Sequence, residues 1–193
     1  MSRLLNVTVP SYSSLFSSEH PIIKPLFILM GILLLSISAQ LSIPFKPVPL
    51  SIQSTTVILI AMMYGARSGA YVILGYFMAG IAGAPVFADF TFGITKFIGP
   101  TGGYLIGFLP AVIVSGYLAQ KGWTKNLMGS LLTAFIGISI IFLCGVVLLS
   151  FSFGFNGAIQ VGLMPFILSE SIKIIIVGLV MTKVKPLFIT KAN

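Results

Sequence analysis

Long uncharged apolar runs dominate the chain, and the few ionisable residues punctuate them. A helix needs about 20 apolar residues to cross a bilayer. No charge falls between Pro25 and Phe45, so a first helix is predicted over 23–43. It meets a proline-rich loop, Pro44-Phe45-Lys46-Pro47-Val48-Pro49. A second helix is predicted over 50–65, a turn at Gly65-Ala66-Arg67-Ser68-Gly69, and a third helix over 68–84. Pro85 opens a longer polar-aromatic loop with Asp89 and Lys96, closed by Gly99-Pro100-Thr101-Gly102-Gly103. A fourth helix follows over 101–119. Residues 126–169 carry no charge and are too long for one span, with Gly154-Phe155-Asn156-Gly157 as the natural break. Helices over 126–152 and 159–182 complete the pattern.

The predicted fold is therefore an all-α integral membrane bundle of six transmembrane helices. Its organisation reads as a polar cytoplasmic N-terminal segment over 1–20, one transmembrane domain over 21–185, and a cytoplasmic tail over 186–193. Composition agrees. The 193 residues are 57% hydrophobic and 7% charged, with a mean hydropathy of +1.11, whereas soluble domains carry about 25% charged residues. The first 20 residues are polar and Ser-rich and do not read as a cleaved signal peptide.

Net charge is +8, but the basic residues are scattered singly, which argues against nucleic-acid binding. Arg3, Lys24, Arg67, Lys121, Lys125, Lys183, Lys185 and Lys191 fall on one predicted side, and Lys46 and Lys96 on the other. Cytoplasmic loops are enriched in Lys and Arg, so both termini are expected in the cytoplasm. Trp123 then sits at the cytoplasmic interface, where an amphipathic ring is favoured. The irregular loops share the outer face, as a binding cup open to that face would require.

Glu170 and Lys173 are the sharpest chemical signal. They stand three apart in the last predicted helix, on one face. Each charge costs about 2.5–3.5 kcal/mol near a bilayer centre, so intramembrane charges point to function, against the alternative of a purely structural pair. The pair suits either a ligand with urea, amide or carboxylate groups or a proton relay. Small residues recur at four-residue spacing, Gly75, Ala79, Gly83 and Gly99, Gly103, Gly107. Such faces let helices approach closely, within the bundle or against another membrane subunit. Cys144 reads as a small buried apolar residue. There is no P-loop and no HExxH motif, and His20 is the one histidine, so a nucleotide-hydrolysing, zinc-hydrolase or triad enzyme is not expected.

The ordered blocks Pro47-Val48-Pro49-Leu50-Ser51-Ile52-Gln53, Tyr76 to Ala88, and Gly99-Pro100-Thr101-Gly102-Gly103-Tyr104-Leu105-Ile106-Gly107-Phe108 resemble the BioY family, the biotin-specific S components of energy-coupling factor (ECF) transporters. The resemblance covers about Ile43 to Val180. That family's last block reads Pro-Phe-x-Pro-Gly-Asp-x-x-Lys. Here it reads Pro165-Phe166-Ile167-Leu168-Ser169-Glu170-Ser171-Ile172-Lys173, with the acid–lysine spacing kept, Pro-Gly replaced and the acid one methylene longer.

The resemblance implies an outward-facing biotin pocket contacted by Glu170 and Lys173. Further wall positions are Gln53, Asp89, Thr91 and Tyr104, and Phe45, Phe87, Phe90 and Phe92 are candidates for apolar walls. The loop at Lys46 is a candidate lid. The resemblance also implies a bacterial inner-membrane location and partner subunits: a transmembrane coupling protein and ATPases. No cofactor or metal is implied, biotin being the transported ligand. Helix one, Met30 to Ala39, lacks a clean Ala-xxx-Ala face, which keeps a solitary carrier as the alternative.

Overall fold

The computed structural model describes residues 23–43, 45 and 47–184. The expected N-terminal segment, the C-terminal tail, His20 and the candidate lid residue Lys46 lie outside them. The chain forms helix α1 (Ile23–Gln40), a two-residue ladder β1 (Ser42–Ile43) and β2 (Leu50–Ser51), and helix α2 (Gln53–Ile81). Helix α3 (Gly102–Gln120), helix α4 (Leu127–Gly162) and helix α5 (Ile167–Lys183) follow. Short 3-10 turns over Ala88–Phe90, Ile94–Phe97, Trp123–Lys125 and Met164–Phe166 join them.

Helices dominate because the bilayer core supplies no hydrogen-bonding solvent, so each spanning segment must satisfy its backbone internally. Among the described residues three helical runs, Gln53–Ile81, Gly102–Gln120 and Leu127–Lys183, are long and apolar enough to cross a membrane. Along α4 the inward positions include Thr133, Gly137, Ile141, Gly145 and Leu149, while Leu132, Phe135, Leu143 and Phe151 are exposed. Both faces are apolar, as expected of a helix that meets lipid on its outer side.

Two glycines reverse the chain. Gly65 has φ 77° and ψ 176° inside α2, a left-handed conformation that side chains with a Cβ avoid. A straight helix would hold Gln53 and Tyr76 roughly 34 Å apart at 1.5 Å per residue. Instead Gln53 Nε2 donates to the Tyr76 hydroxyl at 2.8 Å, so the two halves of α2 fold against each other. Gly116 of α3 packs directly on the backbone of Gly65 and Ala66. Gly154, with φ 68° and ψ 165°, breaks α4 in the same way and brings Gly162 back onto Leu149.

The predicted boundaries shift in three places. The first helix stops at Gln40, because residues 42–43 pair with 50–51 to frame the proline loop. The turn expected over five residues at Gly65 narrows to that one glycine, with Arg67 already helical. The helix expected from 159 is split: Ala158 to Gly162 belong to the end of α4, and Leu163 and the turn Met164–Phe166 separate them from α5.

Packing within the bundle uses small residues. Gly103 and Gly107 of α3 lie against Cys144, Gly145 and Ile141 of α4, and Gly75 lies against Ile32 of α1. The small-residue spacing at these positions serves internal packing. Lipid is as apolar as the helix faces, so close van der Waals approach rather than water exclusion drives the association.

Candidate functional site

The ladder, the start of α2, the loop between α2 and α3, and the inner faces of α3, α4 and α5 surround a cavity of about 460 Å³. Small-molecule sites typically span about 300–1,000 Å³ and are mostly apolar with a few placed polar groups. Gln53, Phe87, Asp89, Thr91, Tyr104 and Glu170, all singled out from the sequence, line it together.

Glu170 enters from the first turn of α5 and is buried, with 7% relative exposure. Lys173, one turn on, donates to Glu170 Oε1 at 2.6 Å. The expected shared face is thus realised as an ion pair. Ser54 Oγ donates to Glu170 Oε2 at 3.0 Å, tying α5 to the start of α2. The Lys173 ammonium also donates to the Ser51 carbonyl at 2.5 Å and so anchors β2. Lys173 therefore stands behind the cavity wall and holds Glu170, while Glu170 faces the space. A carboxylate offers about four acceptor positions, so Glu170 keeps capacity for a ligand donor.

A second polar chain sets the other wall. Gln53 donates to Tyr76, and the Tyr76 hydroxyl donates to the Val86 carbonyl at 3.1 Å. Gln40, at the end of α1, grips the next turn with both ends of its amide. Its Nε2 donates to the Phe87 carbonyl and its Oε1 accepts from the Phe90 N–H, each at 3.0 Å. Between them Asp89 and Phe90 adopt φ 58° and 53°, left-handed values uncommon for non-glycine residues. Backbone strain of this kind persists where the surroundings hold it, often at ligand-binding turns. Thr91 Oγ1 donates to the Ala88 carbonyl at 2.7 Å and closes the turn.

Aromatic rings supply the apolar surface. Phe45, Phe166, Phe142 and Tyr104 form a continuous series with centroid separations of 6.4, 5.5 and 5.5 Å. Tyr104 contributes its ring, since its hydroxyl donates to the Gly162 carbonyl at 2.7 Å. Phe87 is 2% exposed and stacks edge-on with Tyr76 and Phe97. Phe45 and Phe87 are wall residues as expected. Phe90 and Phe92 are not: they are 69% and 57% exposed on the outside of the turn, because the left-handed pair turns this stretch away from the cavity.

Sequence reasoning missed Ser51, Ser54, Gln40, Phe142 and Phe166. Neutral polar residues near a helix end and apolar residues inside a run carry no distinguishing cost in the sequence. The polar run Ser51 to Thr56, Ile52 apart, was the available signal for Ser54. Among the described residues no cluster of His, Cys, Asp or Glu suited to a metal ion occurs.

The fold and the cavity define a multi-pass membrane protein with a polar-anchored pocket among its helices. A family model described as BioY family matches residues 13–190, and the chain belongs to that family. It is 36% identical over 155 residues to the biotin transporter BioY of Thermotoga maritima, covering 80% of this chain and 90% of that protein. It is 35% identical over 160 residues to the probable biotin transporter BioY of Rickettsia prowazekii, covering 83% and 82%. A crystal structure of the S-component for biotin from an ECF-type ABC transporter superposes with a TM-score of 0.76 at 23% identity, over 84% of this chain and 90% of that one. That likeness establishes the S-component fold.

Proposed function

We propose that this chain binds biotin from outside the cell and serves as the substrate-specific subunit of an ECF transporter in the bacterial cytoplasmic membrane. The observation that carries the reading is the buried Glu170, held by Lys173 and Ser54 and facing a cavity of about 460 Å³. Biotin has a ureido ring that both donates and accepts, an apolar thiophane ring and a valerate tail. Its ureido N–H groups would donate to Glu170, which Lys173 holds in place from behind the wall. The aromatic series from Phe45 to Tyr104 suits the thiophane ring. Gln53, Asp89 and Thr91 complete the wall.

The six membrane spans of this reading are α1, the two parts of α2 on either side of Gly65, α3, α4 as far as Gly154, and the stretch from Gly154 through α5 as one. Gln40 meets the pocket loop, so Lys24 at the start of α1 lies at the other end with Arg67, Lys121, Lys125 and Lys183. That bias supports cytoplasmic termini and an outward pocket. The chain is then a transporter subunit with no nucleotide chemistry of its own, and ATP hydrolysis falls to partner subunits.

Purified protein in detergent is expected to retain labelled biotin with nanomolar affinity, equivalent to about −12 kcal/mol. A folded preparation that retains none rejects the proposal. Uptake into proteoliposomes holding this chain alone would favour the solitary carrier over the ECF subunit.

A further inference from the structure

Resting on the biotin reading above, we propose that Lys96 receives the ligand's carboxylate and makes the site selective for a free acid over its neutral derivatives. Among the described residues the cavity is lined by two acids, Asp89 and Glu170, and by one cation, Lys96. Glu170 is already paired with Lys173, whose ammonium is committed to Glu170 and to the Ser51 carbonyl. A carboxylate brought to that end would meet Glu170's own charge. Lys96 is placed differently. It sits in the turn Ile94–Phe97, half-buried, and among the described residues no carboxylate lies within ion-pair reach of its ammonium.

The surroundings favour an anion there. Gly99, Pro100 and Thr101 line the cavity beside Lys96 and lead into the N-terminus of α3. The positive end of that helix's dipole adds to the lysine charge. Asp89 lines the same cavity with no ion-pair partner among the described residues, so a ligand carboxylate must outcompete it for Lys96. The left-handed backbone at Asp89, gripped by Gln40, restrains that approach. An ammonium partly withdrawn from water and left without a counter-ion is a costly arrangement unless an anionic ligand completes it. The arrangement assigns the two ends of the ligand: donors toward Glu170, acid toward Lys96.

The test compares biotin with biotin amide, which has the same rings and tail and no charge. Wild-type protein is expected to bind biotin at least about tenfold more tightly than the amide, a gap equivalent to 1.4 kcal/mol. Lys96→Met is expected to weaken biotin to the level of the amide while leaving the amide's affinity unchanged, which also shows that the variant is folded. Lys96→Arg is expected to keep most of the preference. An undiminished preference for biotin in Lys96→Met overturns the inference and leaves the biotin reading standing. Wild-type protein that binds neither compound overturns both.

Discussion

At the residue scale the site turns on a charge pair that the bilayer makes expensive. Glu170 and Lys173 were legible in the sequence for that reason: ionised groups inside an apolar run stand out where each costs about 2.5–3.5 kcal/mol. Their roles were not legible. Lys173, expected in contact with ligand, donates in the structure to Glu170 and to the Ser51 carbonyl. Removing one member of a buried pair strands the other and typically costs about 3–5 kcal/mol, whereas removing both is often close to neutral. Lys173→Ala is therefore expected to lower the unfolding temperature in detergent and abolish biotin retention. Glu170→Gln with Lys173→Met should recover the unfolding temperature but not the binding. A double variant that still binds biotin with wild-type affinity would remove Glu170 from the site.

At the element scale, glycines decide where helices turn and how closely they meet. The reversal at Gly154 was visible as a glycine-containing break in a run too long for one span, and that at Gly65 as a glycine-flanked turn around Arg67. The β1–β2 ladder was not visible, because two residues per strand show no periodicity; pairing across the proline loop creates it. Gly145 illustrates the second role. The Tyr104 ring lies where its Cβ would be, and Tyr104 in turn holds Gly162. Gly145→Val is expected to push that ring out, cost about 1–3 kcal/mol as overpacked sites do, and weaken biotin binding through the lost wall. Thermal unfolding and ligand retention measured together would check it. Unchanged binding would show that the aromatic series does not shape the pocket.

At the scale of the whole molecule, both ends carry polar loops but only one carries the cavity. Lys24, Arg67, Lys121, Lys125 and Lys183 gather at the other end, which sets the expected orientation. In a Cys144→Ser background, Thr95→Cys should react with a membrane-impermeant maleimide on intact cells. Lys125→Cys should react only after permeabilisation, and the reverse pattern would invert the proposed topology. The sequence by itself determined the solvent, the helical content, the approximate turns and the two buried charges. All of these follow from local composition measured against the cost of placing polar groups in lipid. Tertiary structure alone decided that Ser54 meets Glu170, 116 residues away, that Gln40 grips the Asp89 turn, and that Phe90 faces out while Phe87 faces in. Those outcomes depend on which helix faces approach after the chain reverses at its glycines, and apolar runs of nearly uniform character encode no such partner.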